Sequence, residues 1–230
     1  METKIEDAVR RLTEQLPLLA RQQQLESRLV EVHRAILSSL ATRGRSLTQS
    51  ELEKRLGGKE AVAHAVRRLG KADLVVLDAS AERIVGAYPM TTEETPHRLQ
   101  VNGQSINAMC ALDALSVGPL YDAEVIIDSR CHVTAEPIHI RQKGKAIVDC
   151  QPTDPRVGVR WQNPTGCAAH SMCTEMVFLN DPVTANQWQA IDPQSISLFT
   201  LPEAVEFGAG FFVPLLGVSR SAETDIRQSS

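Results

Sequence analysis

The sequence predicts an α+β protein, an N-terminal winged-helix-like helical domain followed by a mixed α+β domain with antiparallel strands. Three observations lead there. Apolar residues recur at helical spacing through residue 72. From residue 74 onward the apolar runs shorten to strand length and are bounded by turn residues. Those strands do not alternate regularly with helices, as a parallel βαβ sheet would require.

Taken in order, residues 4–24 read as an amphipathic helix through Ile5, Val9, Leu12, Leu16 and Leu19, kinked or ended by Pro17. Residues 27–42 repeat the pattern, with Gly44 suited to a C-terminal cap. Thr48 followed three residues later by Glu51 is a capping box, so a short helix runs to Leu56 and stops at Gly57-Gly58. A third helix starts at Lys59, and two strands, Leu74–Asp78 and Arg83–Tyr88, follow as a hairpin. Three helices and then a hairpin is the order of a winged helix-turn-helix. Residues 91–97 read as a linker, and residues 1–25 as a helical arm. The second domain spans 91–217. Asn102-Gly103 between Leu99 and Ile106 is a hairpin signal, and 108–115 is helix-prone. Strands are expected at 125–128, 137–141, 146–150, 157–161 and 195–201, with an apolar run at 176–179. A short helix is expected at 185–190 and a last, glycine-interrupted helix at 202–216. The polar tail 218–230 reads as disordered.

Composition narrows the function classes. At 230 residues, 43% hydrophobic and 23% charged, the chain can build its core without a metal or disulfide staple. No stretch approaches 18 apolar residues and the first 25 carry charges throughout, so neither a membrane span nor a secretory leader is expected, and the cytoplasm is the expected compartment. A net charge of −4 argues against a generic polyanion binder. Residues 26–90 hold eleven Lys+Arg against eight Asp+Glu, a modest excess that fits a solvated face better than a DNA-facing helix. Five cysteines in such a chain (Cys110, Cys131, Cys150, Cys167 and Cys173) do not suggest a disulfide framework. There is no nucleophile elbow, phosphate loop or HExxH pattern.

Two constellations could carry chemistry. Cys110 and Asp113, three apart on a helix, would share a face among Met109, Leu112 and Leu115. A carboxyl in apolar surroundings holds its proton more tightly and can trade it with a neighbouring thiol. Cys167, His170 and Cys173 recur at three-residue intervals, like part of a zinc site, but no second CxxC completes four ligands. The simpler expectation is that one of these cysteines approaches Cys110 in space. Cys131, in a loop, reads as a ligand or a buried structural thiol.

The runs Thr95-Pro-His-Arg98 and Asn107-Ala-Met-Cys110-Ala-Leu-Asp113-Ala-Leu115 resemble the signature of the organomercurial (alkylmercury) lyases. The likeness continues through Ser129–Pro137, Ser171-Met-Cys173, Val177–Leu179, Trp188 and Ser195–Leu216, covering residues 26–216. It implies that Cys110 and Cys173 are the two catalytic, mercury-binding cysteines, that Asp113 is the catalytic acid, and that Cys131 is structural. It assigns nothing to Cys150 or Cys167, and His170 is left without a role. It implies no cofactor: mercury is substrate and product, small thiols or a mercuric reductase take the ion away, and the N-terminal unit does not bind nucleic acid. Two places depart from the family pattern: Met109 stands where an aromatic is common, and Thr174-Glu175-Met176-Val177 replaces a segment often carrying His and aromatic residues. Soft mercury(II) prefers thiolate, and a free thiol is mostly protonated at neutral pH, so a neighbouring proton acceptor has work to do. Two rival readings use the same residues: a thiol-based, metal-responsive transcriptional regulator, and a non-catalytic metal-binding relative.

Overall fold

The computed structural model describes residues 3–217; the tail expected to be disordered lies outside them. The predicted break at Pro17 separates α1 (Lys4–Gln15) from α2 (Leu18–Gln23). Helix α3 (Ser27–Arg43) ends on Gly44 in the left-handed conformation. Helix α4 (Gln49–Leu56) opens on the anticipated Thr48/Glu51 capping box, with both reciprocal bonds present, and α5 (Lys59–Lys71) follows. A polar network ties these helices to the rest of the chain. Buried Gln22 donates through Nε2 to His33 Nδ1 (2.8 Å) and the Leu215 carbonyl (3.0 Å), and His33 Nε2 meets the Leu74 carbonyl at 3.0 Å. Burial pushes His33 down to about 4, so the ring is neutral and donates from Nε2.

The strands are β1 (Val76–Leu77), β2 (Ile84–Ala87), β3 (Met90–Thr91), β4 (His97–Val101), β5 (Gln104–Ala108), β6 (Glu124–Arg130), β7 (Pro137–Lys143) and β8 (Ala146–Gln151). They form one antiparallel sheet in the order β1-β2-β3-β5-β4-β6-β7-β8. The first residue of the expected linker, Thr91, is paired inside it, so the sheet crosses residue 90 without a break. Asn102 and Gly103 both take positive φ, as the two-residue β4–β5 turn requires. In β6 and β7 burial alternates residue by residue, putting Val125, Ile127, Ile138 and Ile140 on the covered face.

Helix α6 (Ala111–Tyr121) lies on that face and is longer than the sequence predicts, because it tolerates Pro119. A proline there leaves the Leu115 carbonyl without its helical partner. Gln142, fully buried on β7, donates Nε2 to that carbonyl at 2.9 Å and to Gly144 O at 2.9 Å.

A second sheet, β10-β9-β11, is built from β9 (Arg156–Arg160), β10 (Met176–Leu179) and β11 (Ile196–Thr200). Helices α7 (Pro182–Gln189) and α8 (Leu201–Phe212) accompany it. The glycine-interrupted final helix is a correction: α8 runs unbroken through Gly208 and Gly210, and only 213–216 tighten to a 3₁₀ turn. Gly208 is where α8 presses on α6. A Cβ there would fall 2.1 Å from Ser116 Oγ and 3.4 Å from the Leu112 carbonyl. Gly208→Ala is therefore expected to cost about 1–3 kcal/mol by overpacking, read as a lower denaturant midpoint. Ser116→Ala in the same chain should recover part of that loss; an unchanged midpoint in the single variant would remove this contact from the account.

Candidate active site

The site lies where the two sheets meet. Strand β5 ends at Ala108, Met109 follows, and Cys110 begins the turn into α6. The expectation that Cys110 rides on the helix beside Asp113 is corrected: its backbone is extended (φ −154°, ψ 178°), and it is the N-cap. The juxtaposition survives for a different reason. A cap side chain reaches back to the free N–H groups of the first turn, and Asp113 N donates to Cys110 Sγ at 3.3 Å. Cys173 comes from the other sheet, in a 3₁₀ turn (Cys173–Glu175) that leads into β10.

Cys110 Sγ, Cys173 Sγ and an Asp113 oxygen lie within 4.8 Å of one another, all three residues buried. Among the described residues no other group of three His, Cys, Asp or Glu converges in this way. The spacing suggestive of zinc resolves accordingly. Cys167 turns to Tyr88 Oη (3.4 Å), His170 Nε2 pairs with Glu93 at 3.4 Å, and Cys173 faces Cys110. The view that one of these cysteines approaches Cys110 holds for Cys173.

Burial governs the protonation of the cluster. It lifts the Asp113 carboxyl to about 7, against the opposing pull of contacts with both thiols. Burial also pushes the Cys110 thiol well up, reinforced by Cys173 and Asp113, while the Asp113 N–H favours the thiolate. Contact with Cys110 draws the Cys173 thiol down, but burial and the Asp113, Cys167 and Asp73 charges outweigh it, and its net direction is up. The resting site is thus two thiols and a carboxyl that titrates near neutrality. Asp113 Oδ2 is buried without a hydrogen-bond partner, so one oxygen of the carboxyl is uncommitted.

A cavity of about 430 Å³ opens on Cys173, walled by Pro96, His97, Met109, Met176 and Phe178. Burial holds His97 down at about 4, so the ring is neutral, and Nδ1 is engaged by Ser129 Oγ at 2.8 Å. Cys131 lines the far part of this cavity but is otherwise occupied. Its Sγ donates to Asn180 Oδ1 and accepts from Thr134 N, each at 3.5 Å, stitching the β6–β7 turn to the end of β10. Cys150 sits on β8 and donates to the Thr153 carbonyl.

Two features escaped the sequence. Tyr88 Oη donates to Asp73 Oδ1 (2.9 Å) and accepts from Ala169 N (2.9 Å), pinning the loop before Cys173. Met176 Sδ lies 3.8 Å from Cys110 Sγ. Its only signal was its place in the segment that departs from the family pattern, since no spacing rule links positions 66 residues apart.

Asp113 also leaves a mark on stability. Its folded value of about 7 stands above the ordinary 3.8, so the folded chain keeps a proton that the unfolded chain has released. Stability is full below the ordinary value and is lost as pH rises towards and past 7. Against Asp113→Asn, the wild type should lose roughly 2–3 kcal/mol of unfolding free energy between pH 5 and pH 8. Subtracting the variant cancels the opposite trend of His33 and His97, which favour the fold as pH rises. A flat difference in denaturant titrations would contradict the buried, proton-holding carboxyl.

The alkylmercury lyase family profile matches residues 90–213. The alkylmercury lyase of Staphylococcus epidermidis is 30% identical over 126 residues, 55% of this chain and 57% of that protein. The chain thus spans little more than half of that relative. The alkylmercury lyase of Bacillus cereus is 28% identical over 208 residues, 90% of this chain and 91% of that protein. A crystal structure of the mercury-bound form of MerB2 superposes with a TM-score of 0.74 at 25% identity, over 90% of this chain and 99% of that one.

Proposed function

The chain belongs to the alkylmercury lyase family, and from that premise we propose that it cleaves the carbon–mercury bond of R–Hg⁺ by protonolysis, giving R–H and Hg(II). The convergence of Cys110, Cys173 and Asp113 in one buried cluster carries this reading.

Each residue has a part. Asp113, titrating near neutral pH, enters as the carboxylate and takes the proton of one thiol, and that thiolate bonds to mercury. At Cys110 the Asp113 N–H and the first turn of α6 stabilise the sulfur anion. The second thiol loses its proton to solvent and bonds as well, so two sulfurs load electron density onto the metal and weaken the Hg–C bond. Asp113 then gives its proton to the departing carbon. One thiol proton ends in R–H and the other in water. Hg(II) remains between Cys110 and Cys173 with Asp113 Oδ2 available as a further ligand. The cavity walled by Pro96, Met109 and Phe178 holds the organic group away from water.

The same reading extends to matters further from the site. No cofactor takes part. Small thiols, or a mercuric reductase, remove the ion. No described helix is long and apolar enough to cross a membrane, and the reading places the chain in the cytoplasm. Residues 26–90 are taken as a winged-helix-like unit after a helical arm at 1–25, serving as packing for the 91–217 catalytic part rather than as a nucleic-acid reader. Its helix α3 supports this, packing on β2, β3 and β5.

Methane or benzene should appear in the gas phase when the protein meets methyl- or phenylmercury in the presence of excess thiol. Cys110→Ser and Cys173→Ser should each abolish it. Asp113→Ala should still bind the organomercurial yet release little hydrocarbon. Substantial turnover by either serine variant, or an undiminished yield from Asp113→Ala, would overturn the assignment of roles.

A further inference from the structure

The lyase reading leaves one sulfur beside the cluster without a part. Met176 opens β10, three residues after Cys173, and is buried. Its Sδ stands 3.8 Å from Cys110 Sγ, within reach of an S–H donor. Its side chain walls the cavity that opens on Cys173. The strand itself asks only for apolar bulk here: Met176 pairs with Val159 in the sheet, and Val177, Phe178 and Leu179 after it are pure hydrocarbon. A leucine would fill the same volume. What the methionine adds is a polarisable lone pair, next to one of the two sulfurs that grip a soft metal.

We propose that Met176 positions the Cys110 thiol and makes a third soft contact to mercury held between Cys110 and Cys173. Before the metal arrives, the thioether accepts the Cys110 S–H and keeps that sulfur turned into the site. Once the proton has gone to Asp113, the thioether lone pair turns to the metal. A thioether is a neutral donor, so it adds electron density to mercury with no further proton to remove and no change of oxidation state. Its place in catalysis rests on the lyase reading; its contact with the metal does not.

The test uses the full chain with selenomethionine in place of methionine, and Hg(II) alone as the probe. Selenium X-ray absorption should show a mercury neighbour when one equivalent of Hg(II) is bound, and Met176→Leu should lose it. Identical selenium spectra with and without Hg(II), or a mercury neighbour that persists in Met176→Leu, overturn the proposal. In turnover, Met176→Leu should lose on the order of 10-fold in kcat/KM, mostly in kcat. A variant that only repacked the wall would instead move KM, and an unchanged kcat overturns the positioning role. If the wild type releases no hydrocarbon, the lyase reading falls, and the selenium spectra still decide the metal contact.

Discussion

Taking the Asp113 carboxyl out of water, with one oxygen left unpartnered, is the constraint around which the rest of this structure is arranged. Burial disfavours the charged form, so this carboxyl holds its proton up to about pH 7 and is divided between acid and carboxylate at neutral pH. That choice turns a destabilising residue into a proton reservoir near neutral pH. The same dryness raises the thiols beside it, so neither thiol ionises readily alone. A soft cation changes that balance at once. Its positive charge replaces the missing solvent, and the thiol protons held by burial can be released, one to the Asp113 carboxylate and the other to solvent. The site is inert when empty and reactive when loaded, and both states follow from one act of burial.

Such a carboxyl needs a rigid frame, and the frame is assembled from two independent pieces of chain. Cys110 caps α6 and Asp113 lies in its first turn, and the helix's defect at Pro119 is mended by Gln142 from the large sheet. Cys173 and Met176 belong to the turn and strand of the small sheet. Helix α8 closes the two together by lying directly on α6 at Gly208, so close that no side chain fits between them. On the other flank Tyr88 and Asp73 hold the loop before Cys173 through Ala168 N and Ala169 N. The N-terminal helices thereby reach the site through Asp73, which follows α5 and also pairs with Arg21 at 3.5 Å.

Much of this could be read in the sequence where a local rule governs. The Thr48/Glu51 box, the Asn102-Gly103 turn and the break at Pro17 are decided within four residues, and all three stand as expected. Helix α6 was misjudged at both ends because its limits depend on distant partners. Its start is set by a cysteine acting as a cap, which composition does not advertise, and its extent depends on Gln142. The division of the strands into two sheets was likewise invisible, since β9 reads like β8 until its partners β10 and β11 are known. For the site, the thiol and carboxyl at 110 and 113 were legible as a pair, whereas the meeting with Cys173 came from a family likeness rather than from spacing. The thioether at 176 had no local signature at all.

The five cysteines show why capture belongs to one pair. Mercury(II) binds thiolates strongly wherever it finds them, so selectivity has to come from what each sulfur can offer besides itself. Cys150 is bonded to a carbonyl just past the end of an edge strand, and burial, with Asp149 and Asp154 nearby, pushes its thiol up. Cys131 lines the cavity that opens on Cys173, yet it spends its donor on Asn180 and its acceptor on Thr134. Cys167 is engaged by Tyr88 beside Asp73. Each of these lies outside the one group of three that converges among the described residues. Cys110 and Cys173 offer two sulfurs within reach of the same ion, together with a carboxyl that can take a proton from one of them. A lone thiol can hold R–Hg⁺, but it neither loads the metal with a second sulfur nor supplies a proton to the carbon. The proposed protonolysis calls on all three groups together, and among the described residues they converge at one place.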